Sequence, residues 1–500
     1  METWGVGVLT LFLCVGLAAL LLRRRQCRSL PPGPPAIPII GNPMWLTLPL
    51  DEFESVLGDL WSKYGPLVTL HLGSIPIVMV ADRDLAHEML VQRGAVFAHR
   101  PSPNPALRLP GSSECSINTA GYGPLWRLLR RNLATEMLNP SRVRQCADGR
   151  EWVLHVLLDK LRLAAKLGGG IVVVKETFQY AMFCLLVFLC FGEKLEEAAV
   201  REIETAQRDL LLFIRKLNIF AIAPKFGRYL FRGRWNRLLQ LRQRRSEILL
   251  RLIRSRRQQK ESTVQGENSF RFSYLDSLLD LEIPEENGRK LNDEEIITLC
   301  AEFLDAGTDT TSTALEWIMA NVVKHPIVQE KLAEEVAAET KEDDLQKKPY
   351  LKAVVLEGLR RHPPAHFVLP HAVTEEISLG GYTIPKDARI NFAVAKMNLD
   401  GETWPDPLAF RPERFLPGGE GERVDITGSK EIRMMPFGVG RRICPGMGLA
   451  LLHLEYFVAN LVGEFRWEAA DDGEVVLSEK REFTVVMKNP LRTRISSRRK

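Results

Sequence analysis

A mainly helical body with a minor β portion, preceded by one N-terminal transmembrane helix, is the fold class that this sequence predicts. Three observations predict it. Apolar residues recur at helical spacing through long segments, among them Glu151 to Lys166, Val174 to Phe191 and Asp293 to Lys324. Short runs rich in β-branched residues, such as Pro76 to Ala81 and Arg389 to Val394, stand between the helical stretches. Trp4 to Leu22 is an uninterrupted uncharged run of mostly Leu, Val and Ala.

That first run, at ~1.5 Å per residue, approaches the ~30 Å hydrocarbon core of a bilayer. Arg23, Arg24, Arg25 and Arg28 follow at once, so the positive-inside rule keeps them, and the body behind them, cytosolic. A cleaved signal peptide fits less well, because Met1-Glu2-Thr3 carries no positive charge and no Ala-x-Ala site follows. Residues 1–28 therefore read as a single signal anchor with a basic stop, 29–42 as a hinge and 43–500 as one body. In the hinge, Leu30-Pro31-Pro32-Gly33-Pro34-Pro35 is stiff and extended, a spacer and not a flexible tether.

Along the body, Leu67 to Leu72 and Pro76 to Ala81 form a predicted hairpin, and Asp84 to Gln92 a helix. Helical patterns follow at Trp126 to Leu138, Glu151 to Lys166, Val174 to Phe191, Glu197 to Lys216 and Asn236 to Lys260, with a polar loop at Gln259 to Asn268. Asn292 caps the helix Asp293 to Lys324, whose first turn gains from Glu294 and Glu295, and Pro326 ends it. Tyr350 to Arg361 is a helix stopped by Pro363-Pro364. Strands are expected at Phe367 to Val373, Ile377 to Leu379 and Arg389 to Val394, then a helix at Met447 to Glu464 and a hairpin at Val475 to Val486.

Composition narrows the function. A formal charge of +5 over 500 residues gives no domain-wide basic excess, which argues against a nucleic-acid binder. Eight cysteines without a Cys-x-x-Cys pair argue against zinc and against a disulfide framework, and Cys184 and Cys190 read as buried thiols in a reducing compartment.

One cysteine is different. Phe437-Gly438-Val439-Gly440-Arg441-Arg442-Ile443-Cys444-Pro445-Gly446 places Cys444 in a glycine- and arginine-rich loop just before a helix. Close amides, a guanidinium and the helix N-terminus all favour thiolate over thiol, and a thiolate suits a metal. The loop resembles the cytochrome P-450 signature Phe-x-x-Gly-x-Arg-x-Cys-x-Gly at every defined position, and the resemblance runs over essentially the whole chain. It implies the cytochrome P-450 fold, a triangular prism of long helices around haem with small sheets, and makes 43–500 a single haem-thiolate catalytic domain. It also implies haem b as cofactor, with Cys444 as axial ligand of the iron and Phe437, Gly440, Arg442 and Gly446 around it.

Other motifs extend the resemblance. Glu357-Gly358-Leu359-Arg360 alone is an ordinary helical ion pair. Followed by Phe410-Arg411-Pro412-Glu413-Arg414-Phe415, it is similar to the family's buried network of Glu357, Arg360 and Arg414. Trp126 and Arg130, at i and i+4, and His371 stand where the family binds haem propionates. Ala306-Gly307-Thr308-Asp309-Thr310-Thr311 is expected to interrupt the central helix. It resembles the family's oxygen-activating motif, which implies that Gly307 leaves room for dioxygen beside Ala306, and that Thr310 and Asp309 deliver protons.

The wording of these motifs is most like plant A-type microsomal members. One departure is Ala395-Lys396-Met397-Asn398-Leu399-Asp400-Gly401-Glu402, which leaves the end of the preceding strand open. The implied activity is a membrane-bound monooxygenase of the endoplasmic reticulum, catalytic domain in the cytosol. It would use dioxygen and electrons from NADPH, through a flavoprotein reductase bearing FAD and FMN, on a lipophilic metabolite of plant secondary or catabolic metabolism. By position, Ala365, Phe367, Val368, Phe483 and Thr484 are substrate-contact candidates. Arg127, Arg131, Lys430 and Arg433 are candidates for a basic docking face, and Leu217 to Phe231 for a membrane-dipping entrance. Two other readings stay open: a reductase-independent isomerase or dehydratase acting on hydroperoxides, and a non-catalytic haem sensor. The pair Asp309-Thr310 argues against both.

Overall fold

The computed structural model describes residues 30–37, 41–42, 48, 50–102, 115–214, 217, 220, 227–263, 271–336, 342–470 and 473–498. The expected anchor and its basic stop, 1–28, lie outside the described residues. Among the described residues, no helix is long and apolar enough to cross a membrane. The chain divides into two compact units, one from the segment ending at Ser102 with Phe367–Ala393, the other from Pro103–His366 with Val394–Lys500.

The smaller unit is built on a four-stranded sheet in the order Leu67–Leu72, Ile75–Val80, Arg389–Phe392, His371–Ala372. Helix α1 (Leu50–Tyr64) packs on it through Phe53 and Leu57. The expected hairpin is present, with Leu67 opposite Val80 and Leu72 opposite Ile75. The Pro-rich hinge lies along it: the Pro32 carbonyl accepts Thr69 N–H at 2.9 Å, and Asn42 Oδ1 accepts His71 N–H at 2.6 Å. Gly33 is required for that approach, because a Cβ there would stand 1.9 Å from the Thr69 carbonyl oxygen. Of the strand expected at Phe367 to Val373, only His371–Ala372 pairs regularly. The strand expected at Arg389 to Val394 ends at Phe392, and the segment that departs from the family pattern, Ala395 to Glu402, starts within a helical turn, Val394–Asn398.

The larger unit is helical: α2 (Pro124–Asn132), α3 (Ala147–Leu167), α4 (Lys175–Phe191), α5 (Glu197–Ile214), α6 (Arg232–Thr263), α7 (Asp293–Lys324), α8 (Pro349–Arg361) and α9 (Met447–Glu464). Helix α4 is apolar all round from Tyr180 to Phe191, the mark of a core helix, and it packs against α7. Cys184 and Cys190 are buried in it as expected, and burial pushes the Cys184 thiol up to about 11. A reciprocal cap starts α7: Asn292 Oδ1 accepts Glu295 N–H at 3.0 Å, and Glu295 Oε2 accepts Asn292 N–H at 2.8 Å.

Three expectations need correction. Residues 259–263 continue α6 and are not loop; the rest of the expected loop, 264–268, lies outside the described residues. After α2 the chain widens into a turn with Leu138 N–H on the Leu133 carbonyl, so the helix read as Trp126 to Leu138 is not uniform. The threonine cluster does not interrupt α7. Thr308 and Thr310 donate to the Leu304 and Ala306 carbonyls at 2.8 and 2.7 Å, and the helix runs through them unbroken. Small sheets complete the unit: Phe465–Ala469, Arg492–Ser497 and Ile171–Val173 form one, and Glu479–Arg481 with Val485–Met487 the expected hairpin.

Candidate active site

The cysteine loop closes on itself before α9 begins. Gly438 N–H donates to Met435 O at 3.0 Å, Ile443 N–H to Gly440 O at 3.0 Å, and Cys444 N–H to Phe437 O at 2.9 Å. Gly438 and Gly440 adopt φ of 68° and 77°, which side chains disfavour. Gly446 caps α9 and turns its amide to the Cys444 sulfur. Arg130, on α2, donates to Ile443 O at 2.6 Å, one residue from the sulfur.

Arg442 points the other way along the loop. It donates to Ile117 O at 3.2 Å and Ala120 O at 2.6 Å, and lies 4.2 Å over the Trp126 ring. Trp126 Nε1 joins it on Ile117 O at 3.0 Å. The same turn is held from behind by Glu302 of α7. Its carboxylate accepts Ser116 Oγ–H at 2.9 Å, Ile117 N–H at 2.8 Å and Asn118 N–H at 2.6 Å. Two hydrogen bonds thus separate Arg442 from α7. Nothing local in the sequence marks Glu302, since its partners are remote along the chain.

The charge network is buried. Glu357, Arg360 and Arg414 are each at most 1% exposed. Arg360 donates to both Glu357 oxygens, at 2.6 and 2.9 Å; Arg414 Nε and Arg411 N–H share Oε1, at 3.3 and 2.9 Å. Arg360 also donates to Asn398 O at 3.1 Å, and Asn398 Oδ1 accepts Met435 N–H at 2.9 Å. The network therefore reaches the base of the cysteine loop through Asn398, which lies in the segment that departs from the family pattern.

On α7, Ala306 is exposed and Thr310, one turn on, is half-buried, although most of this helix is buried. Asp309 points toward α4 and α5: its Oδ1 accepts from Gln179 at 2.9 Å and faces Arg208 at 3.4 Å. Burial pushes the Asp309 carboxyl up, against the pull of Arg208 and Gln179. Gly307 is hemmed in by α4, where a Cβ would stand 2.7 Å from Leu186 Cδ1. Close helix packing is thus one physical reason for glycine there.

A family model described as Cytochrome P-450 matches residues 31–495. The chain belongs to the cytochrome P-450 family. Cytochrome P-450 89A9 of Arabidopsis thaliana is 46% identical over 489 residues, 94% of each chain. Flavonoid 3'-monooxygenase of Arabidopsis thaliana is 31% identical, covering 92% of this chain and 91% of its own. Geraniol 8-hydroxylase of Swertia mussotii is 30% identical, covering 94% of both.

This P-450 is accordingly an oxidoreductase, a monooxygenase whose cofactor is haem b. The residues fit that group. Cys444 would offer one sulfur to iron, and Arg130, Arg442 and Trp126, gathered around its loop on backbone carbonyls, are the donors that would hold propionates. The sulfur shows what the iron must supply. Gly446 and Arg130 pull the thiol down as the sequence suggests, yet burial outweighs them and leaves it above its ordinary value. A metal cation bound at the sulfur would supply the charge that makes it a thiolate.

The site residues divide between the two units. Cys444, Trp126, Arg130, Ala306, Gly307, Asp309, Thr310, Phe437, Gly440, Arg442, Gly446, Glu357, Arg360, Arg414, Ala365, Phe483 and Thr484 belong to the larger one. There Thr484 is buried with its hydroxyl 2.8 Å from Thr313 Oγ1, while Phe483 and Ala365 are exposed. His371, Phe367 and Val368 belong to the smaller one. His371 is buried with Nδ1 2.6 Å from the Phe97 carbonyl. A carbonyl only accepts, so Nδ1 carries a proton, and Nε2 donates to a carboxylate only from the charged ring.

Proposed function

We propose that this P-450 hydroxylates or otherwise oxidises a lipophilic small molecule of plant metabolism at the endoplasmic reticulum membrane. Its electrons come from NADPH through a flavoprotein reductase bearing FAD and FMN. Residues 43–500 act as one catalytic domain on the cytosolic side of a single-pass anchor. The observation that carries this is the acid–threonine pair Asp309-Thr310 on the buried helix α7, with the Thr310 hydroxyl resting on the carbonyl of exposed Ala306. A hydroperoxide isomerase or a sensor has no use for such a pair. Relatives named for a flavonoid and for geraniol support the substrate class.

Cys444 would hold the iron, with Phe437, Gly440 and Gly446 shaping its loop. Trp126, Arg130, Arg442 and His371 would hold the propionates, and Ala306 and Gly307 would lie beside the ring. Ala365, Phe367, Val368, Phe483 and Thr484 would meet the substrate. Haem held through that sulfur would supply the oxygen chemistry, in which dioxygen, two electrons and two protons give one oxygen atom in the substrate and one in water. The chain's own part is to supply those protons in place. Rotation about χ1 frees the Thr310 hydroxyl from Ala306 O to donate at the exposed face of α7. Asp309, paired with Arg208, exchanges protons with the interior behind it.

Thr310→Ala should keep haem while the peroxide formed per dioxygen consumed rises several-fold. Unchanged peroxide release removes Thr310 from the mechanism. Arg127, Arg131 and Lys430 are exposed, and Arg433 is half-buried 5.3 Å over Trp404. Raising ionic strength should slow the first reduction by the reductase, because screening weakens steering between charged faces. A salt-independent rate would place docking elsewhere. A screen of the reconstituted enzyme on plant extracts, read by mass spectrometry for NADPH-dependent products, tests the activity itself.

A further inference from the structure

We propose that Asp305 is a second proton-holding group of α7, exchanging protons with Asp309 through one water held between α4, α5 and α7. The inference rests on the reading of Asp309 given above. A small cavity of about 20 Å³ lies there, with Gln179, Gln207, Arg208, Asp305, Thr308 and Asp309 among its lining. One water needs roughly 10–15 Å³ of such space and two to four polar partners. The cavity therefore suits a single water and no larger ligand. Gln207 Nε2 donates to Ala301 O at 3.2 Å, but its Oε1 is buried with no protein donor. A buried acceptor left over beside a cavity of this size calls for a water.

Asp305 and Asp309 are one helical turn apart, about 5–6 Å between Cβ atoms, a span that one water can bridge. Their surroundings differ. Asp309 has Gln179 and Arg208 on its carboxylate. Asp305 has Arg245 of α6 at 3.9 Å, beyond hydrogen-bond distance. The charged and polar groups around Asp305 are Arg245 from α6, Glu204, Gln207 and Arg208 from α5, Gln179 from α4, and Glu302 and Asp309 from α7 itself. Burial first, then Asp309 and Glu302, push its carboxyl up to about 7 against the pull of Arg245. Both forms are then present near neutrality, where a proton carrier is most effective.

The step is a proton exchange. The O–H bond of protonated Asp305 breaks toward the water, and the water releases one of its own protons to an oxygen of Asp309. Asp305 is left as carboxylate and is protonated again from the solvent side, past Arg245. Supply is present below the raised value, where Asp305 holds its proton, and is lost as pH rises through about 7.

Two readouts test this on the full-length, haem-loaded enzyme. The first is infrared titration of the resting protein. Wild type should show a carboxylic acid band that disappears as pH rises through neutrality; Asp305→Asn should lose it and Asp305→Glu regain one. Glu455 of α9, another carboxyl pushed up to about 7, is controlled with Glu455→Gln, which should leave the Asp305 band in place. The second is peroxide released per dioxygen consumed in the substrate-free enzyme, driven by NADPH and reductase. In wild type this fraction should climb several-fold across neutrality; in Asp305→Asn it should be high and flat. If Asp305→Asn matches wild type in band and profile while Asp309→Asn raises peroxide, the present inference fails alone. If Asp309→Asn leaves peroxide unchanged, the reading of Asp309 fails first.

Discussion

Cys444→Ser should abolish the strongly red-shifted Soret band that the reduced enzyme gives under carbon monoxide, and take monooxygenase turnover to background. The hydroxyl is nearly isosteric with the thiol, so the loop's own hydrogen bonds, from Gly438, Ile443 and Cys444 amides, need not change. What changes is the anion. Burial holds the Cys444 thiol above its ordinary value against the pull of the Gly446 amide and Arg130, and iron bound there would supply the charge that ionises it. A serine hydroxyl is far harder to ionise and supplies none of the electron density that sulfur pushes onto iron. The same folded loop should therefore hold haem weakly, with an unshifted carbon monoxide band. A serine variant that keeps both the shifted band and turnover would show that another residue ligates the iron.

The elements that carry this site were legible because their signals are local. The caps of α7, the span Met447–Glu464 of α9 and the glycines of the cysteine loop are all read from a few neighbouring residues. Long-range partners were not. Glu302 is one acidic residue on a helix, and its three donors lie in a turn that sequence spacing cannot bring to it. Asn398 sits where the motif wording departs from relatives, yet it carries Arg360 to Met435. Propensity alone predicts a break at the threonine cluster, but tertiary packing overrides propensity. Inside a buried helix the hydroxyls satisfy themselves on carbonyls four residues back. Gly307 shows a further limit. Its packing against Leu186 depends on how closely α4 approaches, which no pattern within either helix reports.

Removing the carboxylate of Glu357 should be the most destructive single change away from the sulfur. Glu357→Ala leaves Arg360 and Arg414, each almost fully buried, without their shared anion, and leaves Arg411 N–H without its acceptor. Breaking a buried pair by removing one partner costs about 3–5 kcal/mol. Against a typical total of about 5–15 kcal/mol, that is a fifth or more of the stability of a domain. The damage is directed, because Arg360 also holds Asn398 O, and Asn398 Oδ1 holds Met435 N–H at the foot of the cysteine loop. Haem content per polypeptide should fall well below half of wild type, with a lower denaturation midpoint. Glu357→Gln, which keeps volume and one acceptor, should fall between. Additional removal of Arg360, as Glu357→Ala with Arg360→Met, should cost less than the sum of the single changes, since one stranded charge goes with it. If Glu357→Ala binds haem fully and unfolds at the wild-type midpoint, the loop is held by something other than this network.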